Sequence, residues 1–171
     1  MSLMKIAIMA DSHGLVNRLA ESFQHIQTAG ITHVLHAGDF LEDGSVEVFA
    51  KFPQLQFFIA LGNNDVNQER IEALSSLENV ILDEVVTLKI KNYTFCLSHY
   101  DGIAQKKSRE KKQRVDVYIH GHTHRAALVR RKDSTMINPG ALCDDGRYLV
   151  LDVETMKAKR LFFSQSIPAK F

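Results

Sequence analysis

The sequence predicts an α/β fold in which two sheets pack face to face with helices outside. Up to Leu77, apolar runs without polar alternation each pass through a polar turn into a helical stretch, as buried parallel strands do. From Asn79 onward the apolar runs are short and tightly linked, the habit of hairpins. No linker, low-complexity segment or repeat of solenoid period divides the 171 residues, so one domain is expected, spanning 4–171.

In order, Lys5 to Ala10 is the first strand, ending at Asp11-Ser12-His13-Gly14. Val16, Leu19, Phe23 and Ile26 recur at helical spacing, and Gly30 ends that helix. Ile31 to Ala37 is the second strand, closing at Gly38-Asp39; a helical stretch around Gly44 to Phe52 follows, with Pro53 as breaker. Gln56 to Leu61 is the third strand, closing at Gly62-Asn63-Asn64-Asp65 before a short helix over Gln68 to Leu77.

Asn79 to Leu82, Val85 to Ile90 and Tyr93 to Ser98 then read as short strands, with Lys91-Asn92 as a two-residue hairpin turn and His99 after the last. Ile103 to Arg114 is a basic helical segment. Val115 to Ile119 is a buried strand that gives way to Gly121-His122-Thr123-His124. Ala126 to Arg131 and Thr135 to Ile137 lead into the turn Asn138-Pro139-Gly140. Arg147 to Val153 and Lys159 to Phe163 form a closing hairpin, with Ser164 to Phe171 irregular. Met1-Ser2-Leu3 reads as a cloning extension before a start at Met4.

Composition narrows the function classes. A net charge of +1 gives no field directed at nucleic acid or an anionic membrane, and no apolar run approaches a membrane span. Cys96 and Cys143 stand far apart in no ligand spacing and read as inert thiols of a reducing compartment. A cytoplasmic location is therefore expected. The basic run Lys106 to Arg114 reads as a solvated helix face, and its lack of aromatic residues speaks against binding single-stranded nucleic acid.

The chemistry lies at the strand ends. Asp11 and His13, Asp39, Asn63, His99, and His122 and His124 all sit just past the C-terminal ends of buried runs, the edge where α/β sheets bind ligands. Each motif alone is ordinary turn or capping chemistry. Five strand ends that all carry oxygen or imidazole donors point instead to one metal site.

The ordered set Asp-x-His, Gly-Asp, Gly-Asn, His, Gly-His-x-His resembles the calcineurin-like metallophosphoesterase superfamily. The compact length and Asn138-Pro139-Gly140-Ala141 resemble its small prokaryotic YfcE-type phosphodiesterases. The resemblance covers nearly the whole chain and implies a four-layer α/β/β/α sandwich with two metals. One metal would take Asp11, His13, Asp39 and His124; the other would share Asp39 and take Asn63, His99 and His122. A shared carboxylate suits the ~3.5–4 Å separation of two-metal phosphoryl chemistry. The absence of thiolates from this set argues against a structural zinc cage. Mixed nitrogen and oxygen donors suit Mn²⁺, Fe²⁺, Ni²⁺ or Zn²⁺, and similarity to the family favours Mn²⁺.

The implied reaction is hydrolysis of a small phosphodiester by in-line attack of a hydroxide bridging the metals. Catalytic roles fall to Asp39, Asn64 and Asp65. Asn64 stands where many members carry a histidine that protonates the leaving group, and an amide has no such proton to give. Asp65 is expected to orient an imidazole. Tyr100 stands where the family usually has glycine after the histidine. His25 is expected to face solvent, His33 and His36 to pack or support, and His120 to point away from the metals. The rival readings are a non-catalytic scaffold resembling Vps29, a nuclease of the same superfamily, and a phosphomonoesterase. The partner is a small phosphodiester, with no membrane and no nucleic acid expected; a homo-oligomer stays open.

Overall fold

A computed structural model of the chain describes residues 4–162. The expected cloning extension, Phe163 and the tail Ser164 to Phe171 lie outside the described residues. Within them the chain builds β1 (Lys5–Met9), α1 (Val16–Thr28), β2 (His33–His36), α2 (Ser45–Ala50), β3 (Gln56–Ala60), α3 (Gln68–Ser75) and β4 (Val80–Asp83). It continues through β5 (Val85–Ile90), β6 (Tyr93–Ser98), α4 (Ile103–Glu110), β7 (Val117–Ile119), β8 (Ala127–Arg130), β9 (Thr135–Asn138), α5 (Leu142–Asp145), β10 (Arg147–Asp152) and β11 (Lys157–Phe162). One sheet has the order β11-β10-β1-β2-β3-β4 and the other β5-β6-β7-β9-β8.

Alternation along β1 explains the layering. Ile6, Ile8 and Ala10 point between the sheets, where they meet Phe95, Leu97, Val117, Ile119 and Ile137. Ala7 and Met9 point the other way, onto the helices. That outer core is organised by Phe23 of α1, Phe49 of α2 and Phe57 of β3, whose ring centroids lie 4.8–5.1 Å apart. Across the second sheet, Cys96 and Tyr118 pack on Ala104 of α4. The layers thus run helix, sheet, sheet, helix, as the resemblance implied.

Several elements differ from the reading of the sequence. β4 extends the first sheet in parallel with β3, and Glu84 alone separates it from β5 in the other sheet. A tight link there marks a change of sheet, not a hairpin. The basic helix ends at Glu110, and Val115 packs in the apolar core beneath α4 before β7 begins. The single turn α5 is too short for periodicity to reveal. His25 does not simply face solvent: its Nδ1 lies 2.8 Å from the hydroxyl of the buried Tyr148.

Candidate metal centre

β1, β2, β3, β6 and β7 end on one rim, and the loops that follow are stitched together by backbone hydrogen bonds. The Asp11 N–H donates to the Gly38 carbonyl (2.9 Å), His13 N–H to Asp39 (3.0 Å), and Gly121 N–H to His99 (3.0 Å). Glycine at 121 permits this approach: a Cβ there would meet Ala10 Cβ and Asp11 Oδ2 at 2.8 Å. Asp11, His13, Asp39, His122 and His124 all adopt positive φ. For non-glycine residues that conformation costs ~1–3 kcal/mol each and persists only where surrounding contacts enforce it.

At Asp39, Asp65 supplies that enforcement. Its Oδ2 accepts the N–H groups of Asp39 (2.8 Å) and Gly62 (2.7 Å), and its Oδ1 those of Phe40 (2.9 Å) and Leu41 (2.8 Å). This corrects the expectation that Asp65 orients an imidazole. Four backbone donors occupy the buried carboxylate, which clamps the Asp39 loop to the Gly62 loop. Asn64 also faces Asp39, donating its N–H to Oδ1 (2.9 Å) and its Nδ2 to Oδ2 (2.7 Å).

Around the first expected position, His13 Nε2 lies 3.9 Å from Asp11 Oδ1, 3.7 Å from Asp39 Oδ2 and 3.2 Å from His124 Nε2. His124 Nε2 is 3.7 Å from Asp11 Oδ1. At the second, His99 Nε2 lies 3.0 Å from Asn63 Oδ1 and 3.4 Å from Asp39 Oδ2. His122 joins less directly: its N–H reaches both Asp11 oxygens (3.2 and 3.1 Å), and its ring lies against His99 and Tyr100.

The donor chemistry fits cations. His99 Nδ1 faces the Ala37 carbonyl at 2.7 Å, which demands an N–H there, so the neutral ring aims its lone pair at two oxygen acceptors. A proton or a cation at Nε2 relieves that opposition. His124 Nδ1 faces Asp144 Oδ2 at 3.2 Å, which likewise leaves the Nε2 lone pair to offer a metal. Most of the separations, 3.4–3.9 Å, are long for hydrogen bonds. Ligands on one tetrahedral ion with bonds of about 2.0–2.2 Å sit about 3.3–3.6 Å apart, so a closure of a few tenths of an ångström would bring these atoms onto shared ions.

Electrostatics agree. Burial pushes the Asp11 carboxyl up to about 6, opposed by His99 and His124. Burial acts to raise Asp39 as well, but the His99 imidazole and the Asn64 N–H outweigh it and hold Asp39 well below the usual carboxylate range. For His99, burial disfavours the cation, yet the Asp39 carboxylate and the Ala37 carbonyl raise its pKa. A metal ion therefore competes with a proton for this nitrogen.

Residues 4–156 match the model of the calcineurin-like phosphoesterase superfamily domain. The chain belongs to this superfamily. Phosphodiesterase MJ0936 of Methanocaldococcus jannaschii is 30% identical over 144 residues, which cover 82% of this chain and 85% of that protein. A solved archaeal phosphodiesterase superposes with a TM-score of 0.78 at 26% identity, over 92% of this chain and 99% of the other. YfcE, a phosphoesterase from E. coli, shares the fold at 15% identity, with a TM-score of 0.65 over 94% of this chain and all of its own. Calcineurin-like phosphoesterases use divalent metals, and the geometry above offers them donors.

Sequence reasoning missed two residues on this rim. Asp144 buttresses His124, and Cys143, read as an inert thiol in no ligand spacing, stands beside His13 and His124. Both lie on α5, directly after Asn138-Pro139-Gly140-Ala141. The acidic pair Asp144-Asp145 was the one available signal.

Proposed function

We propose that this calcineurin-like phosphoesterase is a dinuclear metal-dependent phosphodiesterase acting on small diesters. The observation that carries the reading is the position of Asp39 Oδ2. It lies 3.7 Å from His13 Nε2 on one side and 3.4 Å from His99 Nε2 on the other, where a carboxylate shared by two cations would stand. Asp11, His13, Asp39 and His124 would hold one ion; Asp39, Asn63, His99 and His122 would hold the other. Mn²⁺ is the ion we favour, on the family resemblance. When bound, the ions supply Lewis acidity to the phosphoryl oxygens and an activated water.

The protein's part is placement. Asn64 and the Asp65 clamp fix Asp39 before substrate arrives, and the hydrogen bonds to Ala37 and Asp144 preset the His99 and His124 tautomers. The three buried carboxylates, Asp11, Asp39 and Asp65, do not neutralise two dications, so the loaded centre keeps a positive charge that attracts a phosphodiester anion. Beside Asn63 and His99 lies a cavity of about 460 Å³, lined also by Leu61, Ser98, Tyr100 and Ile103. It has room for an ester group of the substrate. Asn64 has no proton for a departing alkoxide, so the reading favours leaving groups that are stable as anions.

The test is hydrolysis of bis-(p-nitrophenyl) phosphate by protein stripped with chelator and reloaded with Mn²⁺. Activity that returns with Mn²⁺ and is lost in Asp39→Asn is the expected result. Ester hydrolysis indifferent to chelator, or none at any Mn²⁺ concentration, would overturn the proposal.

A further inference from the structure

We propose that His13, His124 and Cys143 form a binding site for a thiophilic cation, such as Cd²⁺ or Zn²⁺, that shares two imidazoles with the metal centre. One ligand atom from each of the three lies within 4.8 Å of the others. Neighbouring ligands on one tetrahedral ion sit about 3.3–3.6 Å apart, given bonds of about 2.0–2.1 Å to nitrogen and 2.3 Å to sulfur. The two Nε2 atoms are already 3.2 Å apart. The Cys143 sulfur, within 4.8 Å of both rings, has at most about 1.3 Å to close to complete the set.

The backbone keeps the thiol at this rim. The Cys143 N–H donates to the Asp11 carbonyl (3.0 Å), and the Cys143 carbonyl accepts from the Arg18 guanidinium. α5 is thereby tied to the loop that carries Asp11 and His13. Asp144 contacts two of the three, with Oδ2 on His124 Nδ1 and Oδ1 accepting from the Cys143 thiol at 3.4 Å.

Donor softness separates this site from the one beside it. Asp11, His13, Asp39 and His124 offer two carboxylates and two imidazoles, a set suited to Mn²⁺. Exchange of the carboxylates for Cys143 gives one sulfur and two nitrogens, a set suited to Zn²⁺ or Cd²⁺. His13 and His124 belong to both, so the two occupancies exclude each other. When the soft ion binds, the Cys143 S–H bond breaks, a sulfur–metal bond forms and the proton passes to water, with no change of oxidation state. The site stands on this donor geometry alone and needs no assumption about the diester.

The test is titration of the chelator-stripped full chain with Cd²⁺, read by the ultraviolet sulfur-to-cadmium charge-transfer absorption. The band is expected to saturate at one ion per chain and to vanish in Cys143→Ser. It should form at least about tenfold more weakly in His124→Gln. It should also move to higher Cd²⁺ when Mn²⁺ is in excess. Cys96 is buried in the apolar core beneath α4 and should contribute nothing. If circular dichroism shows His124→Gln to be misfolded, His13→Gln makes the same test. A band that survives Cys143→Ser would overturn the proposal. So would Cd²⁺ affinity untouched by loss of either imidazole, the mark of a thiol acting alone. Diester hydrolysis plays no part in this readout, so a failure of the proposed activity leaves the result interpretable.

Discussion

Asn64 grips both oxygens of Asp39, with its backbone N–H on Oδ1 at 2.9 Å and its side-chain Nδ2 on Oδ2 at 2.7 Å. The residue in the place of a family proton donor thus serves as a rest for the carboxylate at the middle of the site. Asn64→Ala is expected to weaken Mn²⁺ binding about 10–100-fold, as loss of a hydrogen bond to a metal ligand does, while far-ultraviolet circular dichroism stays unchanged. Asn64→His restores an acid, so its turnover of alkyl diesters should rise relative to nitrophenyl diesters. Calorimetric Mn²⁺ titration and a leaving-group series check the two outcomes.

Replacement of Asp65 should be a stability lesion first. Asparagine presents an amide N–H to donors that the carboxylate now accepts, and so leaves buried backbone groups unpaired. Asp65→Asn is expected to cost about 3 kcal/mol or more, read from the urea midpoint. Asp39 loses its backbone restraint in the same step, so Mn²⁺ affinity should fall with stability. A variant of native stability would contradict the clamp.

His36 gives a pH dependence with a definite sign. Complete burial, with the nearby His99 adding to it, pushes this imidazole down to about 3 from an ordinary 6.5. Between those values the unfolded chain binds a proton that the folded chain refuses, so stability falls as pH drops through the window and is kept above it. The slope is up to about 1.4 kcal/mol per pH unit. The raised carboxyl of Asp11 titrates with the opposite sign in the same range, so the variant comparison is what isolates His36. For metal-free protein, His36→Leu should gain on the wild type below pH 6.5 and run parallel to it above. Parallel curves throughout would refute the assignment.

Tyr100 stands 42% exposed, with its ring centroid 4.4 Å from that of His122, at the wall of the cavity beside His99. Tyr100→Ala is expected to raise KM for nitrophenyl diesters several-fold with kcat little changed, since a stacked aromatic face is worth about 0.5–1.5 kcal/mol. Alkyl diesters should respond less. Steady-state kinetics on the two substrate types decide it.

The site was legible in the sequence to the extent that strand ends announce themselves. Asp11, Asp39, Asn63, His99 and His122 each follow an apolar run, and the pattern needs no knowledge of what lies opposite. The role of Asp65 was hidden because it depends on the Asp39 and Gly62 loops meeting in space. His25 was misread because its partner, Tyr148, comes from a strand 123 residues away. Cys143 escaped because α5 is one turn long, and because ligand spacing along the chain says nothing of a thiol brought to His13 and His124 by the fold. The change of sheet at Glu84 was illegible for a related reason: a one-residue link and a hairpin turn look alike until the strands have partners.

The most direct measurement of the central claim is an anomalous difference map from crystals of the full chain loaded with Mn²⁺. Two peaks about 3.5–4 Å apart, with Asp39 between them, His13 and His124 on one and Asn63 and His99 on the other, are the expected result. A single peak, or ions bound away from Asp39, would contradict the shared-carboxylate centre.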